Sequence, residues 1–125
     1  MTGTLFFDGA CGMCTRARDL LLTVDRTGDL HTEPLQRPDT AERLGIAPEH
    51  LLDSLRWLDP SGRVYSGAEA ANAAVAAALG SRLPILVYRI PGMRWVQEAI
   101  YRWVAGHRHR FPGTTPYCES HPVSC

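Results

Sequence analysis

The sequence predicts an α/β fold, with one four-stranded mixed sheet, flanking helices and a C-terminal helical extension. Three observations carry that expectation. The apolar run Thr4-Leu5-Phe6-Phe7, an amphipathic stretch after it, and a second strand-like run from Leu30 read together as a β-α-β unit. The runs Leu55 to Leu58 and Arg63 to Tyr65 flank Asp59-Pro60-Ser61-Gly62, whose proline and glycine suit a tight reversal, so an antiparallel hairpin is expected. An alanine-rich segment follows, with side chains small enough to pack closely on a sheet.

The first strand ends at Asp8-Gly9, a turn signal. From Cys14 to Val24, Ala17, Leu20, Leu21 and Val24 fall at helical spacing, while Arg16, Arg18 and Asp19 take the other faces. The cysteines therefore stand at the N-terminal end of an amphipathic helix, which Thr27-Gly28-Asp29 stops. Leu30 to Leu35 is the second strand, ending near Pro34 because proline cannot serve a central ladder. Across residues 36–53, Pro38-Asp39 and Pro48-Glu49 each open a short helical piece.

After the hairpin a helix runs to Leu79, with Ser66 as its cap and Gly80 as its end. Pro84 and Pro91-Gly92 interrupt the next stretch. Trp95, Val96, Ala99, Ile100, Trp103 and Val104 then form a broad apolar stripe on a last helix, which reads as core-facing. Residues 106–125 hold three prolines and no periodicity, an irregular tail. Residues 1–125 read as one domain, without repeat or linker, and the element order describes a thioredoxin-like fold.

Thirteen basic residues balance thirteen acidic ones, so the strong positive field of a dedicated nucleic-acid binder is missing. All the basic residues are arginine, which excludes lysine-amine chemistry. Met1-Thr2-Gly3-Thr4 leads straight into a strand with no leader pattern, so a cytoplasmic location is expected. Arg89, Arg94, Glu98 and Arg102 interrupt the apolar stretch too often for a bilayer span, leaving contact with a membrane surface as the weaker reading.

The four cysteines lie at the two ends of the chain, unlike the spread of a small secreted disulfide scaffold. Cys11 and Cys14 fall at a strand-to-helix junction. Unpaired N–H groups and the positive end of the helix dipole favour a thiolate there, so Cys11, nearer the helix start, is the expected nucleophile. Cys14, three residues on, can resolve a mixed disulfide, and exposure is expected to set the order of attack. Asp8 is either the acceptor of the Cys14 proton or a turn residue. No cofactor beyond a Cys11–Cys14 disulfide is required, and the expected partner is a thiol or disulfide substrate, with a protein as one option.

Leu5-Phe6-Phe7-Asp8-Gly9-Ala10-Cys11-Gly12-Met13-Cys14 resembles the signature of the DCC family, thiol-disulfide oxidoreductases named for Asp-x-x-Cys-x-x-Cys. The resemblance extends to the Leu35-Gln36 pair, the hairpin with Val64-Tyr65, and the Tyr101 to Arg110 segment before a cysteine. It implies a thioredoxin-like fold in which Asp8, Cys11 and Cys14 carry the redox role. Two departures from true thioredoxins stand out. Gly12-Met13 replaces Gly-Pro, and no proline precedes the Leu55 to Leu58 strand, where thioredoxins use one to position substrate peptide.

Competing readings remain on the same residues. Cys118 and His121 have Cys-x-x-His spacing and would complete a zinc site with Cys11 and Cys14 if the tail folds back, with Cys125 as a spare ligand. Alternatively, Cys118 exchanges with the Cys11–Cys14 disulfide as a relay, or the pair is a non-catalytic redox switch on an interaction module. Phosphatase chemistry is excluded: Ala10 stands where a second aspartate is needed, and Ala17 where a cysteine phosphatase needs arginine. His107-Arg108-His109-Arg110 reads as a solvated helix end whose cations complement the dipole.

Overall fold

A computed structural model describes residues 3–28, 30–111 and 113–125, and leaves the side chains of His109 and Ser124 undescribed. Asp29 of the expected helix stop therefore lies outside the described residues. The elements follow in the order β1 (Gly3–Phe7), α1 (Gly12–Val24), β2 (Leu30–Pro34), α2 (Thr40–Leu44), a 3-10 turn (Pro48–Asp53), β3 (Arg56–Leu58), β4 (Val64–Ser66) and α3 (Gly67–Leu79). Then come α4 (Leu83–Tyr88), α5 (Met93–Gly106), a 3-10 turn (Arg108–Arg110), α6 (Tyr117–Ser120) and a last 3-10 turn (Pro122–Ser124). The sheet is four-stranded in the order β2-β1-β3-β4. β1 pairs parallel with β2 and antiparallel with β3, which pairs antiparallel with β4, so the sheet is mixed and consistent with a thioredoxin-like fold.

Period-two alternation on β1 builds the two layers. Leu5 packs with Leu30, Trp57, Tyr65 and the alanines of α3 on one face, and Phe6 packs with Leu35, Leu44 and Leu51 on the other. On α3, Ala70, Ala73, Ala74 and Ala77 are wholly buried, because a methyl group lets the helix axis approach the sheet closely. Gly80 ends α3 in the left-handed region (φ 67°), which a side chain would strain.

Three sequence expectations change here. Ser66 does not cap α3 with its side chain; its hydroxyl accepts from Arg56, and Glu98 of α5 accepts from the Ala68 N–H at 2.8 Å instead. The apolar stripe of α5 faces outward, with Trp95 71%, Ile100 58% and Trp103 58% exposed. Periodicity marks the stripe, but the inner face of α5 is given to Gln97, Glu98 and Tyr101, which bond to α3 and to Leu55. Finally, the tail is not structureless. It includes three short helical turns, and Thr114, Tyr117 and Cys118 bond to the residues around the start of α1. Among the described residues, no helix is long and apolar enough to cross a membrane.

Candidate redox site

The site grows from the β1–α1 junction. Asp8, at the end of β1, folds the chain over itself: its Oδ1 accepts from the Ala10 N–H at 3.0 Å and its carbonyl accepts from the Cys11 N–H at 3.1 Å. This is the turn role of Asp8. Gln36 braces the turn from the segment after β2, donating through Nε2 to Asp8 Oδ1 at 2.7 Å and accepting the Gly9 N–H on Oε1 at 2.9 Å.

Cys11 is the N-cap of α1, with extended backbone (φ −103°, ψ 122°), and its sulfur accepts the Cys14 N–H at 3.3 Å. The helix therefore starts two residues earlier than the sequence suggested. An anion on Cys11 Sγ would take up an otherwise unpaired first-turn donor and lie at the positive end of the helix. Cys14 is the opposite case. Burial first, then its hydrogen bond with Cys11 and the Cys11 charge, push its pKa up to about 12, with Asp8 adding to the rise and Arg108 opposing it. Cys14 therefore holds its proton.

Exposure runs opposite to what the sequence expectation assumed: Cys11 is buried (4% exposed), while Cys14 is half-buried. The C-terminal segment lies across the start of α1. The Thr114 N–H donates to Gly12 O at 3.2 Å, the Tyr117 N–H to Thr15 Oγ1 at 3.1 Å and the Cys118 N–H to Gly9 O at 2.9 Å. The approach is so close that a Cβ on Gly113 would collide with the Gly12 carbonyl carbon. Tyr117 packs edge-on against Phe7, and Arg18 lies over its ring at 5.1 Å.

Two contributors carry no role in the sequence reading. Arg108 Nη2 reaches Asp8 Oδ2 at 3.1 Å, so it is not a solvated helix-end cation. The Tyr101 hydroxyl accepts the Leu55 N–H at 2.7 Å, just ahead of β3, where a thioredoxin would carry its proline. Burial pushes the Tyr101 phenol pKa up. A cavity of about 250 Å³ opens beside the pair, lined by Cys14, Phe7, Met13, Leu21, Leu55 and Tyr101 among mostly apolar neighbours, with Asp8 and Arg108 as polar members of its wall. Gln36, Tyr101 and Arg108 all lie in segments that the family resemblance marks, so that signal pointed to them without assigning their roles.

The proposed zinc set does not assemble. Cys118 is joined to Cys125 in a disulfide, while Cys11 and Cys14 are free thiols. His121 stacks on Tyr117 at 4.4 Å, with Nδ1 2.9 Å from Ser120 Oγ. Among the described residues, no three histidine, cysteine or acidic side chains form a group able to hold a metal ion. A Cys118 thiolate is not available as a metal ligand while its disulfide stands.

Comparison with protein-family models matches residues 5–114 to the family described as DCC1-like thiol-disulfide oxidoreductase. No curated protein and no solved structure matches the chain.

Proposed function

The chain belongs to the DCC1-like thiol-disulfide oxidoreductase family, and on that premise we propose that it catalyses thiol-disulfide exchange with Cys11 as nucleophile and Cys14 as resolving cysteine. The observation that carries this reading is the asymmetry of the pair. Cys11 Sγ accepts a helix N-terminal N–H, while Cys14 is held as a thiol with its pKa pushed up to about 12.

In the reducing direction, the Cys11 thiolate attacks one sulfur of a substrate disulfide, forming a mixed disulfide and expelling a thiolate that takes a proton from solvent. Covalent capture removes the negative charge and the hydrogen bond through which Cys11 raises the Cys14 pKa. Cys14 then gives up its proton and attacks Cys11 Sγ. The second thiol leaves, and the Cys11–Cys14 disulfide remains. Asp8 lines the same cavity as Cys14 and is the carboxylate that we assign to collect that proton, with Arg108 holding it in place. Oxidation of a substrate dithiol runs the same steps backwards.

Because Cys11 is buried and the Thr114 segment bonds to its neighbour Gly12, we assign substrate entry to a shift of that segment. A reductase assay with a small disulfide tests the assignment: Cys11→Ser abolishes turnover, and Cys14→Ser stops it after one covalent capture. Full turnover by Cys11→Ser overturns the assignment. A non-catalytic switch would instead give one stoichiometric oxidation of the wild type, with no second cycle when fresh reductant is added.

A further inference from the structure

A monomer normally turns the apolar stripe of a helix inward, whereas α5 turns Val96 and Ile100 out, and α4 beside it exposes Leu86. Charge gathers in the same segment of the chain. Residues 81–111 hold six arginines and one acid, Glu98, while the rest of the chain holds seven arginines and twelve acids. Glu98 is directed inward, accepting from the Ala68 N–H at 2.8 Å, and Arg108 is directed onto Asp8. Five exposed arginines remain in this segment. They alternate with large apolar side chains, as in Arg89-Ile90, Arg94-Trp95 and Arg102-Trp103, all six of them exposed.

We propose that the outer face of α4 and α5 binds the surface of an anionic lipid bilayer. Tryptophan favours the boundary between headgroups and acyl chains, and guanidinium groups pair with lipid phosphates, so interleaved arginine and apolar side chains match both layers at once. The excess of positive charge in this segment of an electrically neutral chain supplies attraction toward an anionic leaflet. The contact is peripheral, because α5 is too short to cross a bilayer. The proposal stands apart from the redox assignment, since none of the six named side chains lines the cavity beside Cys14.

Co-sedimentation of the full chain with vesicles of phosphatidylcholine mixed with phosphatidylglycerol, against pure phosphatidylcholine, tests it. Binding to the anionic vesicles with a blue shift of tryptophan emission is expected; Trp57 is already buried, so the shift reports Trp95 and Trp103. The double variant Arg89→Glu/Arg94→Glu should lose affinity by about tenfold or more, as should Trp95→Ser/Trp103→Ser. Circular dichroism and Cys14 alkylation should be unchanged in both. Absence of binding to anionic vesicles overturns the proposal, as does equal binding of the charge-reversed variant. A concentration-dependent dimer that Trp95→Ser/Trp103→Ser dissociates would also overturn it, assigning the face to a second copy of the chain.

Discussion

Arg108 reaches back across the chain to Asp8, its Nη2 3.1 Å from the carboxylate Oδ2, and so ties the end of α5 to the turn that presents Cys11. The other carboxylate oxygen is held by Gln36 and Ala10. Replacing Arg108 with alanine leaves a buried carboxylate without its cation. A loss of about 1–3 kcal/mol is expected, read as a lower urea midpoint. Since Arg108 also opposes the rise in the Cys14 pKa, the same variant should slow the resolving step.

The raised Cys14 pKa sets a window of pH dependence. Unfolded, the thiol titrates near 9.0; folded, near 12. Below pH 9.0 both states hold the proton and the contribution is fully present; as pH rises toward about 12, the unfolded state releases it first and stability falls. Tyr65, Tyr88 and Tyr101, all raised above 10.0 by burial first, add to the loss at higher pH. Denaturant midpoints measured between pH 8 and pH 10 should therefore fall more steeply in the reduced wild type than in Cys14→Ser. Equal slopes would refute the assignment of that proton.

The close approach of the C-terminal segment to Gly12, next to Cys11, depends on a glycine. A side chain at Gly113 must push the segment off Gly12, a misfit of about 1–3 kcal/mol. Gly113→Val should therefore speed alkylation of Cys11 by iodoacetamide, with peptide mapping to separate it from Cys14. An unchanged rate would mean that the segment does not limit access.

The cap of α3 gives a paired test of stability. Glu98→Ala removes the acceptor of the Ala68 N–H and should cost about 1 kcal/mol, whereas Ser66, engaged with Arg56, has no capping bond to lose. Thermal melts of Glu98→Ala and Ser66→Ala compare the two directly. The larger drop belongs to Glu98→Ala.

What the sequence could and could not reveal follows from the range of each interaction. The β1–α1–β2 unit and the hairpin are written in local periodicity and turn residues, and they form where expected. The pairing of Asp8 with Arg108, the bracing by Gln36 and the bond from Thr114 to Gly12 join distant segments, and no local pattern encodes them. The stripe on α5 is equally instructive. Spacing shows that one side is apolar, but which side meets the core depends on Glu98, Gln97 and Tyr101 finding partners on α3 and at Leu55. The motif residues were legible as a set, while their relative exposure was not, because the C-terminal segment that bonds to Gly9 and Gly12 comes from the other end of the chain.

The central claim is that Cys11 attacks and Cys14 resolves, and intact mass spectrometry of single-cysteine captures tests it most directly. Reduced Cys14→Ser, mixed with a small organic disulfide, should accumulate one stable adduct mapped to Cys11, while Cys11→Ser under the same conditions should remain unmodified. Faster capture on Cys14 in the Cys11→Ser protein would contradict the assignment and make the half-buried cysteine the nucleophile.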